Sequence, residues 1–434
     1  MANAQPATLA SKNRIERFGL EAIPLELRQT KWYEYSIIQI AFSVNAGNFL
    51  VPAFAVIQGG LSFGAAFVST VLGAMLAFLF VSYLSLPGAN QGIPAQFAIR
   101  SIIGVKGARF ISSPIRTITS LYWFAVQTIG GTLVIQYILE KSFSIAPSFS
   151  VIAFFLAATM SLLALIGFQA VKNATKYFMP ILLIGQLLMI YLLTNNGIKG
   201  QGEILFSEGS WNIPVMLFFG SLAFVQYVSG VSASADMTRY AVHANHGFWG
   251  LFLGNVTGFM LTAFFGAFSA VLTGSSNPFI VTSGLTDSAI FTSIILGAAI
   301  LSMISINLSN AYTGGFSLLN SFPGLGRIKS CVIFGLIGIT LSLTPYLVEE
   351  AKQFISFIGA FVIPLSAVIV IDFLLIKKKK IEIIEGLPSY NKPAFVCIAA
   401  GILLYLLVPE TLSPGFVAFL FTGGIYFLYY KLQK

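Results

Sequence analysis

The residues of this sequence that could do chemistry are amides, hydroxyls and aromatic rings set inside apolar runs. One run holds Ser43-Val44-Asn45-Ala46-Gly47-Asn48, with Pro52 just after it; another holds Gln226-Tyr227-Val228-Ser229-Gly230-Val231-Ser232-Ala233-Ser234. A third carries Ser302, Ser305, Asn307, Ser309 and Asn310. Trp123 and Gln127 lie four residues apart in a fourth run, on one helix face. An amide without a partner in hydrocarbon is costly, so these side chains must turn to a cavity or to a neighbouring helix. Their chemistry is recognition. An amide offers both a donor and an acceptor, and an aromatic face offers a flat apolar platform. An enzyme needs an acid/base, nucleophile or metal constellation, and the sequence has no HExxH and no carboxylate pair inside an apolar run. His243 and His246 fall in a loop, and Cys331 and Cys397 read as small buried hydrophobes.

The elements that position these residues follow from composition. The 434 residues are 56% hydrophobic and 9% charged, against the roughly 25% charged residues of a water-soluble domain. Lipid must be part of the solvent, and the expected class is an all-α integral membrane protein. A span needs about 20 mostly apolar residues. About twelve candidates run over 35–58, 62–85, 111–139, 149–168, 175–195, 213–235, 247–273, 288–315, 328–347, 353–376, 394–409 and 414–430. With an even number of spans, the termini share one side. All of the 24 basic residues except Lys141, Lys199 and Lys352 then fall on that side. Positive residues stay cytoplasmic, so both termini are expected inside a multi-pass protein of the cytoplasmic membrane. The same asymmetry assigns the net charge of +9 to the membrane and removes nucleic acid as a partner. Lys377 to Lys380 read as an anchor against membrane lipid. Met1 to Lys31 has no apolar core, so the first span is expected to serve as the insertion signal.

Two of the polar interruptions, in the first and sixth spans, are five spans apart. Glycine among small polar residues lets a helix open, and interrupted helices at matching places in two halves point to a transporter's site. Small residues also allow close helix packing, which is the competing reading for any one span. The pair predicts two five-span repeats, over 33–195 and 213–376. They are flanked by an N-terminal segment 1–32, loops 196–212 and 377–393, and two further helices in 394–434.

Several segments resemble the nucleobase–cation symporter family of cytosine/purine, hydantoin and allantoin permeases. Trp123-Phe124-Ala125-Val126-Gln127-Thr128-Ile129-Gly130-Gly131 is similar to its W-F-G-x-Q-T-x-x-G-G run. Arg100 to Arg109, followed by Pro114-Ile115-Arg116, resembles its R-x-x-x-G-x-x-G-A loop. Ala235-Asp236-Met237-Thr238-Arg239-Tyr240 resembles its P/A-D-F-x-R-Y/F signature, and Ile371-Asp372-Phe373 its A-D-Y ending. Ile23-Pro24, Arg28 and Trp32 fit its preamble. The resemblance implies a leucine-transporter type fold of two inverted five-helix repeats plus two helices. It also implies a symporter that imports a neutral planar heterocycle of cytosine, uracil, purine, hydantoin or allantoin type.

The resemblance further assigns parts. Trp123 would stack on the ring, Gln127 would read its edge, and Tyr227 would close the sandwich with its phenol free to bond. Ser229 or Gly230 would offer backbone groups, Asn45 and Asn48 would face the cavity or a neighbouring helix, and Asn310 with Asn307 would complete the edge contacts. Tyr122 would pack in the core. No cofactor is expected. The coupling cation is Na+ or H+, and Na+ is favoured because no ionisable side chain is placed mid-span. Gly47, Ser302 and Ser305 are the candidate sodium ligands, although Ile306 stands where a second adjacent hydroxyl is expected. Asp236 and Arg239 are expected to form an ion pair, the interior to be free of charge, and the protein to be a monomer. An amino-acid transporter on the same fold is the alternative.

Overall fold

The computed structural model describes residue 16 and residues 18–197, 209–381 and 386–433. Half of the 1–32 segment, most of the 196–212 loop, and Lys199 lie outside the described residues. Among the described residues the chain is helical, with two isolated bridges and no strand. Nine helices there are long and apolar enough to cross a membrane. Two shorter apolar helices, Phe149–Ala164 and Lys392–Leu407, and a first segment split into Trp32–Ser43 and Leu50–Ile57 bring the crossings to twelve.

The order of elements repeats. The broken first span is followed by Phe63–Tyr83 (second), Ser113–Phe143 (third), Phe149–Ala164 (fourth) and Phe168–Leu192 (fifth). The sixth span, Ile213–Val228 with a tight turn at Ser229–Ser232, is followed by Ala244–Thr273, Ala289–Ser321, Gly326–Leu341 and Ala351–Ile371. Short helices sit at matching joints: Leu86–Gln91 and Ala95–Ile103 before the third span, and Pro278–Gly284 before the eighth. Five crossings separate the two sets, so the second runs inverted relative to the first. The short joint helices have no counterpart in the sequence-based segmentation, because six to nine residues are too few to register as spans.

Packing follows the same symmetry. The first span lies along the seventh and the sixth along the second, while the third lies along the eighth. Gly250, Gly254 and Gly258, one turn apart on the seventh span, meet the backbone at Trp32, Ser36 and Ile40. A side chain at any of the three would collide with the first span, so close packing of small residues holds this seam. Gly73 and Gly220 do the same between the second and sixth spans. Tyr122 is 5% exposed and packs in the core as expected.

Candidate functional site

The first span opens where its own side chains can replace helical bonds. Phe42 and Ser43 would accept from N–H groups one turn on, but Asn45 donates through Nδ2 to both carbonyls instead. Asn48 Nδ2 donates to the Ser43 carbonyl at 2.9 Å, and Thr262 of the seventh span adds a bond of 2.8 Å. Asn45 Oδ1 accepts from the Asn48 N–H at 2.9 Å. The Gly47 N–H donates to Gln127 Oε1 at 3.0 Å. A Cβ on Gly47 would lie 2.6 Å from Gln127 Nε2, so only glycine allows this approach. Helix resumes at Leu50, with Pro52 in the first turn, where an N–H has no intrahelical partner to lose.

The sixth span opens differently. Val228 leads into the tight turn Ser229–Ser232, and Ala233 leaves helical geometry at φ −139° before the short helix Ser234–Thr238 runs on beyond the span. Gln226 Nε2 donates to Asn48 Oδ1 at 3.3 Å, which ties the two breaks together. Gln226 Oε1, the Tyr227 hydroxyl and Ser234 Oγ are buried without a partner.

Between the breaks lies a cavity of about 160 Å³. Trp123, Gln127, Asn48, Tyr227, Ser229, Gly230 and Asn310 all line it, so the structure brings together seven of the nine residues expected to meet a substrate. Tyr227 is set by Phe78 and Phe259, whose ring centres lie 4.7 and 5.0 Å from its own. Asn45 and Asn307 are placed elsewhere. Asn45 is spent on the break. Asn307 donates to the Phe124 carbonyl and to Thr128 Oγ1, each at 3.0 Å, and accepts from Asn310 at 3.1 Å. It therefore braces the eighth span on the third and aims Asn310. Gly47 lies behind Gln127. Ser302 and Ser305 bond back to the Ala299 and Leu301 carbonyls at 2.9 and 2.8 Å, away from the cavity wall.

Two expectations need correction. The cavity is not free of charge: Arg116, 9% exposed, lines it. Its Nη1 reaches the Ser229 carbonyl at 3.4 Å and its Nη2 reaches Thr313 Oγ1 at 3.1 Å. A segmentation that starts the span at 111 puts Arg116 near the membrane edge, but a guanidinium on a long stem reaches inward. The signal was present, since Arg116, Trp123 and Gln127 at i, i+7 and i+11 share one face. Asp236 and Arg239, for their part, form no ion pair. Asp236 Oδ1 accepts from the Ala95 N–H at 2.8 Å, whereas Arg239 donates to the Gly92 and Glu21 carbonyls at 3.1 and 2.6 Å. The two clamp opposite ends of the Gly92–Ala95 turn. Burial of Asp236, only partly offset by the Ala95 bond and nearby arginines, pushes its carboxyl up to about 7.

Glu16 was also missed. Its carboxylate oxygens accept from the Phe168 N–H (2.9 Å), the Tyr240 hydroxyl (2.7 Å) and the Tyr312 hydroxyl (3.0 Å). These bonds tie the fifth span, the segment after the sixth, and the eighth span together on the side of the termini.

The sequence profile of a permease family for cytosine/purines, uracil, thiamine and allantoin matches residues 22–430. The chain belongs to this family. Its members are permeases, not enzymes, and the protein is a multi-pass membrane transporter. It is similar to the hydantoin permease of Microbacterium maritypicum, 23% identical over 413 residues that cover 87% of this chain and 80% of that one. The cytosine permease of Escherichia coli O157:H7 is 24% identical over 355 residues, 79% and 78% of the two chains. Among solved structures, the fold matches Mhp1, a nucleobase-cation-symport-1 family transporter in a closed conformation with bromovinylhydantoin bound. The TM-score is 0.79 with 94% of each chain covered, at 17% identity. A Na+-coupled sialic acid symporter matches at a TM-score of 0.68 and 14% identity, over 93% of this chain and 90% of that one. The permease fold is thus the leucine-transporter type, two inverted five-helix repeats with two helices outside them.

Proposed function

We propose that this permease imports a small planar heterocycle of the nucleobase or hydantoin type across the cytoplasmic membrane. It works by alternating access as a monomer, with both termini cytoplasmic and a Na+ gradient as the driving force. The observation that carries this reading is the shared cavity, where two broken spans bring Trp123, Tyr227, Gln127 and Asn310 around one space. A flat ring fits between aromatic faces, and two amides on the third and eighth spans can read donors and acceptors on its rim. A volume of about 160 Å³ lies below the roughly 300–1,000 Å³ of sites for drug-sized ligands, which suits a single small ring.

For the coupling ion, Na+ favours oxygen ligands. Among the described residues no cluster of three His, Cys, Asp or Glu forms, so the oxygens would be neutral ones. Ser302 and Ser305 donate along their own helix and keep lone pairs free, and the carbonyls around Gly47 are close to a helix break. Purified protein in proteoliposomes, given labelled cytosine, uracil, adenine, hydantoin and allantoin under an imposed Na+ or H+ gradient, tests the reading. Saturable, Na+-driven uptake of at least one ring is expected. Uptake of a labelled amino acid that none of the five rings competes away would overturn it.

A further inference from the structure

Arg116 is a whole positive charge at the wall of a small, buried cavity, and its surroundings do not neutralise it. Among the described residues the ion pairs are Lys172–Glu34, Lys352–Glu410 and Lys377–Asp372. Arg116 is in none of them. The Ser229 carbonyl it reaches follows the C-terminus of helix Ile213–Val228, where the helix dipole contributes about half a negative charge. Asp236 attracts it from beyond ion-pair distance but spends one oxygen on the Ala95 N–H. A guanidinium has five N–H donors in a planar fork and no acceptor. Nη1 and Nη2 each make one bond, and Nε, buried, makes none. A desolvated cation with unspent donors calls for a ligand that supplies acceptors.

Resting on the heterocycle reading above, we propose that Arg116 is a specificity-determining residue that selects imide-type rings, those with a ring N–H flanked by carbonyls, over amino-substituted rings. A carbonyl oxygen of such a ring accepts from the fork. An exocyclic amine at the same place sets donor against donor and leaves both unpaired, which is how a site rejects a near-isostere. The placement suits the role: Arg116 shares a helix face with Trp123 and Gln127, so one rigid element presents the platform, the edge reader and the cation. The competing account makes Arg116 a brace between the third span, the turn of the sixth span, and Thr313 of the eighth. A brace would affect every ligand alike.

The experiment measures dissociation constants of uracil, hydantoin, cytosine and adenine for the purified full-length protein, from ligand-induced shifts in thermal unfolding. The wild type is expected to bind both imides at least tenfold more tightly than both amino-substituted bases. Arg116→Gln should weaken the imides at least tenfold and change cytosine and adenine less than threefold, while Arg116→Lys should keep part of the preference. Thr313→Val removes one anchor of the fork without touching the charge, and it decides the matter if Arg116→Gln does not fold. It should produce a smaller loss confined to the imides. Equal losses for all four compounds would overturn the inference, as would a wild type without imide preference. Binding of none of the four would overturn this inference, while the heterocycle reading stands or falls separately on the uptake panel, which also holds allantoin.

Discussion

The two broken spans solve the same problem in opposite ways. Opening a helix at membrane depth strands carbonyl and N–H groups that only protein or a wet cavity can satisfy. At the first break, Asn45, Asn48, Gln127 and Thr262 satisfy the freed groups, and the loop is locked. At the sixth, Gln226 Oε1, the Tyr227 hydroxyl and Ser234 Oγ stay unpartnered, and Arg116 leans on the Ser229 carbonyl with Nε unspent. A closed hydrogen-bond network fixes geometry, whereas unspent groups beside a cavity are what a ligand can bind. The difference teaches that the first span frames the site and the sixth reads the ligand.

That contrast can be broken or sharpened by substitution. The largest effects should come from the third span, which serves both breaks: Trp123→Ala and Gln127→Ala should each abolish saturable uptake while membrane insertion, followed by surface labelling, stays intact. Wild-type uptake in either variant would refute the site. Asn45→Ala should act on folding instead. It leaves the buried Phe42 carbonyl with only a long contact of 3.5 Å from Asn48 Nδ2, a loss of about 1–3 kcal/mol, read as a lower unfolding temperature in detergent, with substrate affinity falling only as the folded fraction falls.

Tyr227→Phe should leave stability unchanged and weaken binding about three- to tenfold, because it removes a hydroxyl that bonds nothing within the protein. A smaller, pH-dependent effect belongs to Asp236, beyond the end of the sixth span. Its folded-state carboxyl is raised to about 7 by burial, so the folded form holds a proton that the unfolded chain releases near pH 4. The stability this contributes is fully present below about pH 4 and lost as pH rises through 7. Asp236→Asn, which keeps an acceptor for the Ala95 N–H, should flatten that decline in a pH series of thermal melts. Ser234→Ala should change least, within about 0.5 kcal/mol, since an orphaned hydroxyl contributes no bond to lose.

Much of this was legible from residues alone. Gly47 and Gly230 among small polar neighbours marked both breaks, and Trp123 with Gln127 marked the third span's inward face. Asn45 and Asn307 were legible as buried amides but not as struts, because an asparagine facing a cavity and one capping a broken helix look alike in a sequence. Arg116 was hidden by position, since counting along the chain locates a Cα and not the end of a long side chain. Glu16 was hidden by distance: its partners Phe168, Tyr240 and Tyr312 lie 152, 224 and 296 residues away along the chain.

By itself, the sequence determined that the protein lives in lipid, crosses it about twelve times and opens two helices at matching places. Each of those is set by local composition and by the cost of an unsatisfied polar group in hydrocarbon. Only the tertiary structure decided which polar groups are spent on holding the breaks and which are left for a ligand. Partnership is a matter of distance in space, and residues 43 and 262, or 116 and 229, become neighbours only when the repeats pack against each other.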